Sequence, residues 1–325
     1  MKKSIFKYLF FAALAVIAIS GCKKEKQAEE VDKDTAGAED NAYAENVASD
    51  IETIGSQASD GSSASLNSFR IGDESAILSS CATITRDTLL HIVTVTFNGN
   101  QCLDGRTRSG VLTFDYSGSP AGSKHYRDPG FTCTVTSSNY VVDGNQVSII
   151  NKTITNTTNG GDPNTFNPAT TNETWHITAD ISITRTNGAV ITWNCDRTKT
   201  LLNTSTVCPA NDFVNFPVND NTPIDWPQAR VGITGSANGS RTYNSSSETF
   251  TVTITNQLVR DFGACNVLGR HPFFMGTMER TSSVRPTRTL NFGSDASGQI
   301  SNNCDLYVLI TFTVNGNPYS FVRAL

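Results

Sequence analysis

From Cys81 onward, apolar and polar residues alternate in short runs separated by glycine, asparagine and proline. That period-two pattern predicts strands over 89–97, 111–116, 131–135, 147–154, 175–185, 190–201, 250–258, 306–314 and 319–322. The runs are rich in Thr, Val, Ile and aromatics, which suit a half-buried pleated surface. A different period occurs earlier. Val47, Ile51 and Ile54 recur at helical spacing within 41–56, with Gly55 near the end as a stop signal, so one short helix is expected there. A third pattern opens the chain, a continuous apolar run from Tyr8 to Ile19.

Apolar faces also choose hairpin registers. Around Asn187-Gly188, a two-residue turn would set Ile183 against Thr192 and mix the faces. A three-residue loop, Thr186-Asn187-Gly188, sets Ile183 against Ile191 and Ile181 against Trp193, with Gly188 left-handed in a bulge. The same test favours four-residue loops over 143–146 and 315–318.

Composition sharpens this division. Residues 76–325 contain three Lys, three Glu and fourteen Arg, a scarcity of helix formers that supports an all-β, antiparallel fold. They are electrically neutral, whereas residues 23–75 carry 5 basic against 13 acidic side chains. The acidic stretch, poor in apolar residues, is read as a disordered tether after Cys22, interrupted by the one helix, which is marginal alone and, if it persists, should dock on the β-body. Its 53 residues would reach ~180 Å extended. Cys81, Phe97-Asn98-Gly99 and Cys102 precede one strand, and Cys265, Phe292-Gly293 and Cys304 precede another. This hints at two related, sandwich-like β-units, 76–208 and 228–325, joined by a Pro-rich connector over 209–227. They are either separate sandwiches or halves of one sheet system.

The apolar run near the start is too short to span a bilayer comfortably. Lys2 and Lys3 precede it and Ile19-Ser20-Gly21-Cys22 closes it, so residues 1–21 read as a secretory signal. The closing cysteine resembles a bacterial lipobox, which implies that Cys22 is lipidated and becomes the mature N-terminus. Gln27-Ala28-Glu29-Glu30 resembles the acidic export signal of Bacteroidota surface lipoproteins. Asp34-Thr35-Ala36 and Asp87-Thr88-Leu89 resemble the O-glycosylation acceptor of that phylum, at Thr35 and Thr88. Together with the paired Cys pattern and the motif Asp104-Gly105-Arg106-Thr107-Arg108-Ser109-Gly110, the chain resembles a family of uncharacterised Bacteroidota outer-membrane lipoproteins. The resemblance implies a location, the outer membrane facing the cell surface with the periplasmic face as the alternative, and no activity.

Beyond the inner membrane disulfides are permitted. The repeat suggests Cys81–Cys102 and Cys265–Cys304, with Cys195–Cys208 third and Cys133 left as a buried thiol. The competing scheme pairs Cys133 with Cys195 and frees Cys208. No CxxC pair occurs and His91, His125, His176 and His271 are scattered, so no metal or other cofactor is expected. Nucleophile-elbow, zinc-protease and phosphate-loop motifs are absent. Arg106 and Arg108 are candidates to grip an anion or glycan carboxylate, or else to lie on an exposed turn or support the nearby turn. A neutral β-body without a basic stripe argues against nucleic acid. The expectation is a non-enzymatic structural or interaction module, tethered to the membrane by its lipid. It would bind glycan or protein through aromatics such as Trp175, Trp226 and Tyr243. The alternative is a secreted hydrolase of surface polymers.

Overall fold

The computed structural model describes residues 33–59, 81–202 and 230–325, apart from loop positions 103, 122, 124, 125, 127, 163–171, 263, 264, 266–269 and 271. One helix, α1 (Ala36–Ser59), precedes thirteen strands. In chain order these are β1 (Ala82–Asp87), β2 (Ile92–Gln101), β3 (Thr107–Asp115), β4 (Thr132–Val142), β5 (Asn145–Asn156), β6 (Thr174–Thr184) and β7 (Val190–Leu201). They continue as β8 (Arg230–Tyr243), β9 (Ser246–Asp261), β10 (Phe273–Ser282), β11 (Arg288–Asn291), β12 (Tyr307–Val314) and β13 (Asn317–Ala324). Each strand pairs with the next in one antiparallel meander. The β7–β8 ladder runs without a break from Val190↔Thr242 to Leu201↔Val231. The two halves of the chain are therefore parts of one sheet. The connector at 209–227 lies outside the described residues.

Four strands escaped the alternation. Strand β8 contains Gly232, Gly235 and Gly239, and β10 is displaced from β9 by successive register shifts around Met275 and Thr277. Strands β1 and β11 are short. At the β6–β7 hairpin the apolar faces did decide: Ile183 pairs with Ile191, Ile181 with Trp193, and Gly188 is left-handed. The four-residue loops are corrected. Val142 pairs with Asn145 and Val314 with Asn317, leaving two-residue turns at Asp143-Gly144 and Asn315-Gly316 with positive φ at both positions. Shifting the pairing by two positions keeps the same faces together. The pattern could not discriminate, and the preference of Asp-Gly and Asn-Gly for type I′ geometry prevailed.

The helix in the acidic stretch docks on the β-body, as expected, but α1 is longer than the 41–56 segment. Ala38, Ala42, Ala44, Val47, Ala48, Ile51, Ile54 and Ala58 are all buried in the main hydrophobic core. Its partners come from both ends of the meander: the Ala58 carbonyl accepts from Arg86 of β1, and Glu39 pairs with Arg323 of β13. The sheet thus curls round α1. Small residues keep the helix thin enough to be enclosed. Gly55 lies inside the helix and does not stop it; a Cβ there would sit 2.5 Å from Phe114 Cε1.

Strand alternation does the rest. Inward positions such as Val95, Leu112, Ile177, Ile181, Trp193, Val252 and Ile310 are buried in the same core cluster as the helix residues. Outward positions carry mostly Thr, Ser and Asn, as in the row Thr134↔Thr153↔Thr178↔Asp196↔Ser236↔Thr253.

Candidate functional site

The interior is more highly charged than the alternation suggests. Because Arg and Lys stems can line apolar surface, several inward strand positions are basic, and α1 supplies their counter-ions. Arg241 Nε donates to Asp40 at 2.7 Å. Arg197 of β7 grips Glu45 through Nε (3.1 Å) and Nη2 (2.6 Å), the two-pronged geometry that guanidinium offers a carboxylate. Lys152 of β5 reaches Glu52 at 2.9 Å. Each of these partners is buried. At the entry to the helix, Ala36 N–H donates to Asp34, while the Asp34 carboxylate meets Arg285 at 2.6 Å.

Asp50 organises the densest cluster. Arg106 Nη1 lies 3.0 Å from it, Arg260 Nη1 3.2 Å and Arg108 Nη2 3.8 Å. Burial opposes ionisation of Asp50, but Arg106, Arg260 and Arg108 outweigh it and hold the carboxyl below its usual range. Arg108 is also clamped in two-pronged fashion by Asp104, at 2.8 and 2.6 Å. A cavity of about 30 Å³ opens among Asn46, Asp50, Arg106, Arg260 and Arg270. That is room for ordered water rather than for a polymer segment. Arg106 and Arg108 are therefore interior ion-pair partners, neither exposed on a turn nor available to an outside anion. Sequence reading missed the cluster because Asp50 and Arg260 are far apart along the chain and only the curled sheet brings them together.

The other candidate residues divide as follows. Disulfides join Cys81 to Cys102 and Cys265 to Cys304. The first ties the start of β1 to the end of β2, whereas the second links the β9–β10 loop to the β11–β12 loop, so they are not equivalent places in a repeat. Cys195 is a buried free thiol, as is Cys133. Burial pushes both thiols up to about 12. The Cys133–Cys195 alternative fails on geometry: β4 and β7 are three strand spacings apart, roughly 14 Å, beyond disulfide reach. For Cys195–Cys208, one partner is that free thiol and Cys208 lies outside the described residues, as does Cys22.

Thr35 is buried, its hydroxyl bonded to Glu39 at 2.5 Å, so the folded body leaves no room for a sugar there. Thr88 sits on the exposed β1–β2 turn. Trp175 is wholly buried and donates to the Tyr126 carbonyl, which removes it as a ligand platform. Tyr243 ends β8 and is partly exposed beside Arg241. Trp226, His125 and His271 lie outside the described residues. His91 stacks on Tyr116, and His176 lies 3.0 Å from Asp196 on the exposed sheet face. Among the described residues no group of three or more His, Cys, Asp or Glu is placed to hold a metal, and no helix is long and apolar enough to cross a membrane.

What the sheet offers to the outside is its hydroxyl- and amide-rich face. A shallow depression of about 590 Å³ lies over β7–β10, lined by Thr192, Asn194, Asn238, Ser240, Thr249 and Thr251 among others. Thr192 and Ser240 hydroxyls pair at 2.8 Å, and Ser240 N–H donates to Thr192 at 3.0 Å, which fixes both side chains. No family model, curated protein or solved structure matches the chain.

Proposed function

We propose that this chain is a lipid-anchored cell-envelope protein, held to the outer membrane through Cys22 and facing the cell surface. Its β-body serves as a structural or interaction module rather than an enzyme. The observation that carries the reading is how the charges are used. Carboxylates and guanidiniums that might do acid–base work are bound to one another between α1 and the sheet, as in Glu45–Arg197 and Asp50–Arg106. The face left to partners is polar and carries few charges, Asp180, Asp196 and Glu279 among them. The hydrolase alternative draws no support from the Asp50 cluster, whose carboxylates face guanidiniums around a water-sized cavity.

The outward strand positions also bear on anchoring. A membrane-spanning barrel needs an apolar outer band; here those positions carry mostly Thr, Ser and Asn, which supports attachment through the N-terminal lipid. With α1 built into the body, only residues 23–35 separate Cys22 from it, a reach of at most about 45 Å. Replacing Cys22 by alanine tests the reading. The variant should leave the membrane fraction and lose acyl mass on its N-terminal peptide, and proteinase added to intact cells should remove the native protein. Membrane retention of Cys22→Ala at the native level would overturn it.

A further inference from the structure

We infer that the outer face of β5–β10 is a binding surface for a neutral glycan chain, with the cross-strand row Asn151–Asp180–Asn194–Asn238–Thr251–Thr281 as its line of contact. This rests on the interaction-module reading and gives it a ligand class. The six residues are successive register partners on six neighbouring strands. All point outward and are exposed or partly exposed. Strand spacing therefore repeats a polar group about every 4.8 Å across the sheet, an array suited to an extended chain rather than to one small molecule. The depression over β7–β10 lies on this row and is lined by four of its members, among them the adjacent pair Asn194↔Asn238. Each amide offers two donors and an acceptor, and the fixed Thr192–Ser240 hydroxyl pair flanks them.

Charge selects among occupants. No side chain lining the depression is ionised. At its rim Ser282 donates to Glu248, whose charge is met by Arg280 and Arg285. The outward charges of β6, β7 and β10 are acidic, Asp180, Asp196 and Glu279, with no Lys or Arg among those positions. An anionic polymer or nucleic acid would meet repulsion without a counter-charge. A protein partner ordinarily needs a buried apolar or aromatic anchor, and the exposed large apolar side chains on β5–β10 are Ile150, Val190 and Met275, none of them on the row. A neutral polyhydroxylated chain needs what the row supplies: amide and hydroxyl groups, with Asp180 as a strong acceptor for sugar hydroxyls.

The test uses the mature lipidated protein in detergent and hexasaccharides of neutral β-1,4-glucan, β-1,4-xylan and α-1,4-glucan, with an acidic polyuronide as comparison. At least one neutral chain should bind. The Asn194→Ala/Asn238→Ala double variant should weaken it at least tenfold, and so, to a smaller degree, should Thr251→Val. Thr83→Ala/Thr96→Ala, on the outer face of β1–β2, should leave binding unchanged. Since the altered side chains point to solvent, melting curves should match the native protein. No neutral binding at millimolar concentration, preference for the polyuronide, or binding indifferent to the Asn194/Asn238 change would each overturn the inference. Lipidation of Cys22 would still stand in those cases, so the two proposals fail separately.

Discussion

At the scale of single residues, the buried ion pairs are where this protein is most vulnerable. Glu45 and Arg197 are both 3 % exposed, so removing one leaves the other as an unpaired charge in the core. Glu45→Ala should cost about 3–5 kcal/mol in urea unfolding, whereas replacing both partners by methionine should be close to neutral. Asp50 adds a pH dependence whose sign follows from its environment. A carboxyl held below its ordinary value contributes stability above that value and loses it as pH falls through the lower folded value. Asp50→Asn should therefore be less stable at neutral pH, and its unfolding free energy should fall less than that of the native protein between about pH 5 and about pH 2. Equal falls in the two proteins would show that Asp50 is not the linked group.

Helix α1 is the element on which the others depend. Without it, Arg106, Lys152, Arg197, Arg241 and Arg260 would face one another across an interior with few acids. A fragment covering 76–325 should thus stay unfolded, and a peptide covering 33–60 should restore near-ultraviolet circular dichroism when added to it. Gly55 tests how tightly the sheet encloses the helix. Alanine is favoured over glycine in a helix by about 1 kcal/mol, yet here its Cβ would press on the buried Phe114 ring. Overpacking costs about 1–3 kcal/mol, so Gly55→Ala should lower the unfolding midpoint rather than raise it.

For the whole molecule, the strand class and the β6–β7 register were legible because each inward face repeats locally, every second residue. Strand β8 was hidden by its glycines, and β10 by register shifts that only a paired neighbour reveals. The Asp50 cluster and the Asn194–Asn238 row were illegible for a deeper reason: their members lie on different strands, and only pairing makes them adjacent. The acidic composition of residues 23–75 was visible from the start, but its meaning depended on where its charges ended up. Taken alone, that stretch has too little apolar surface to fold. Enclosed by a sheet whose inward face is basic, its helix becomes part of the core. By itself the sequence determined the alternation, the turn residues and the amphipathic segment, because these rest on local periodicity. The tertiary structure decided that one sheet curls around that segment, because burying inward basic side chains requires nearby carboxylates, and α1 supplies them.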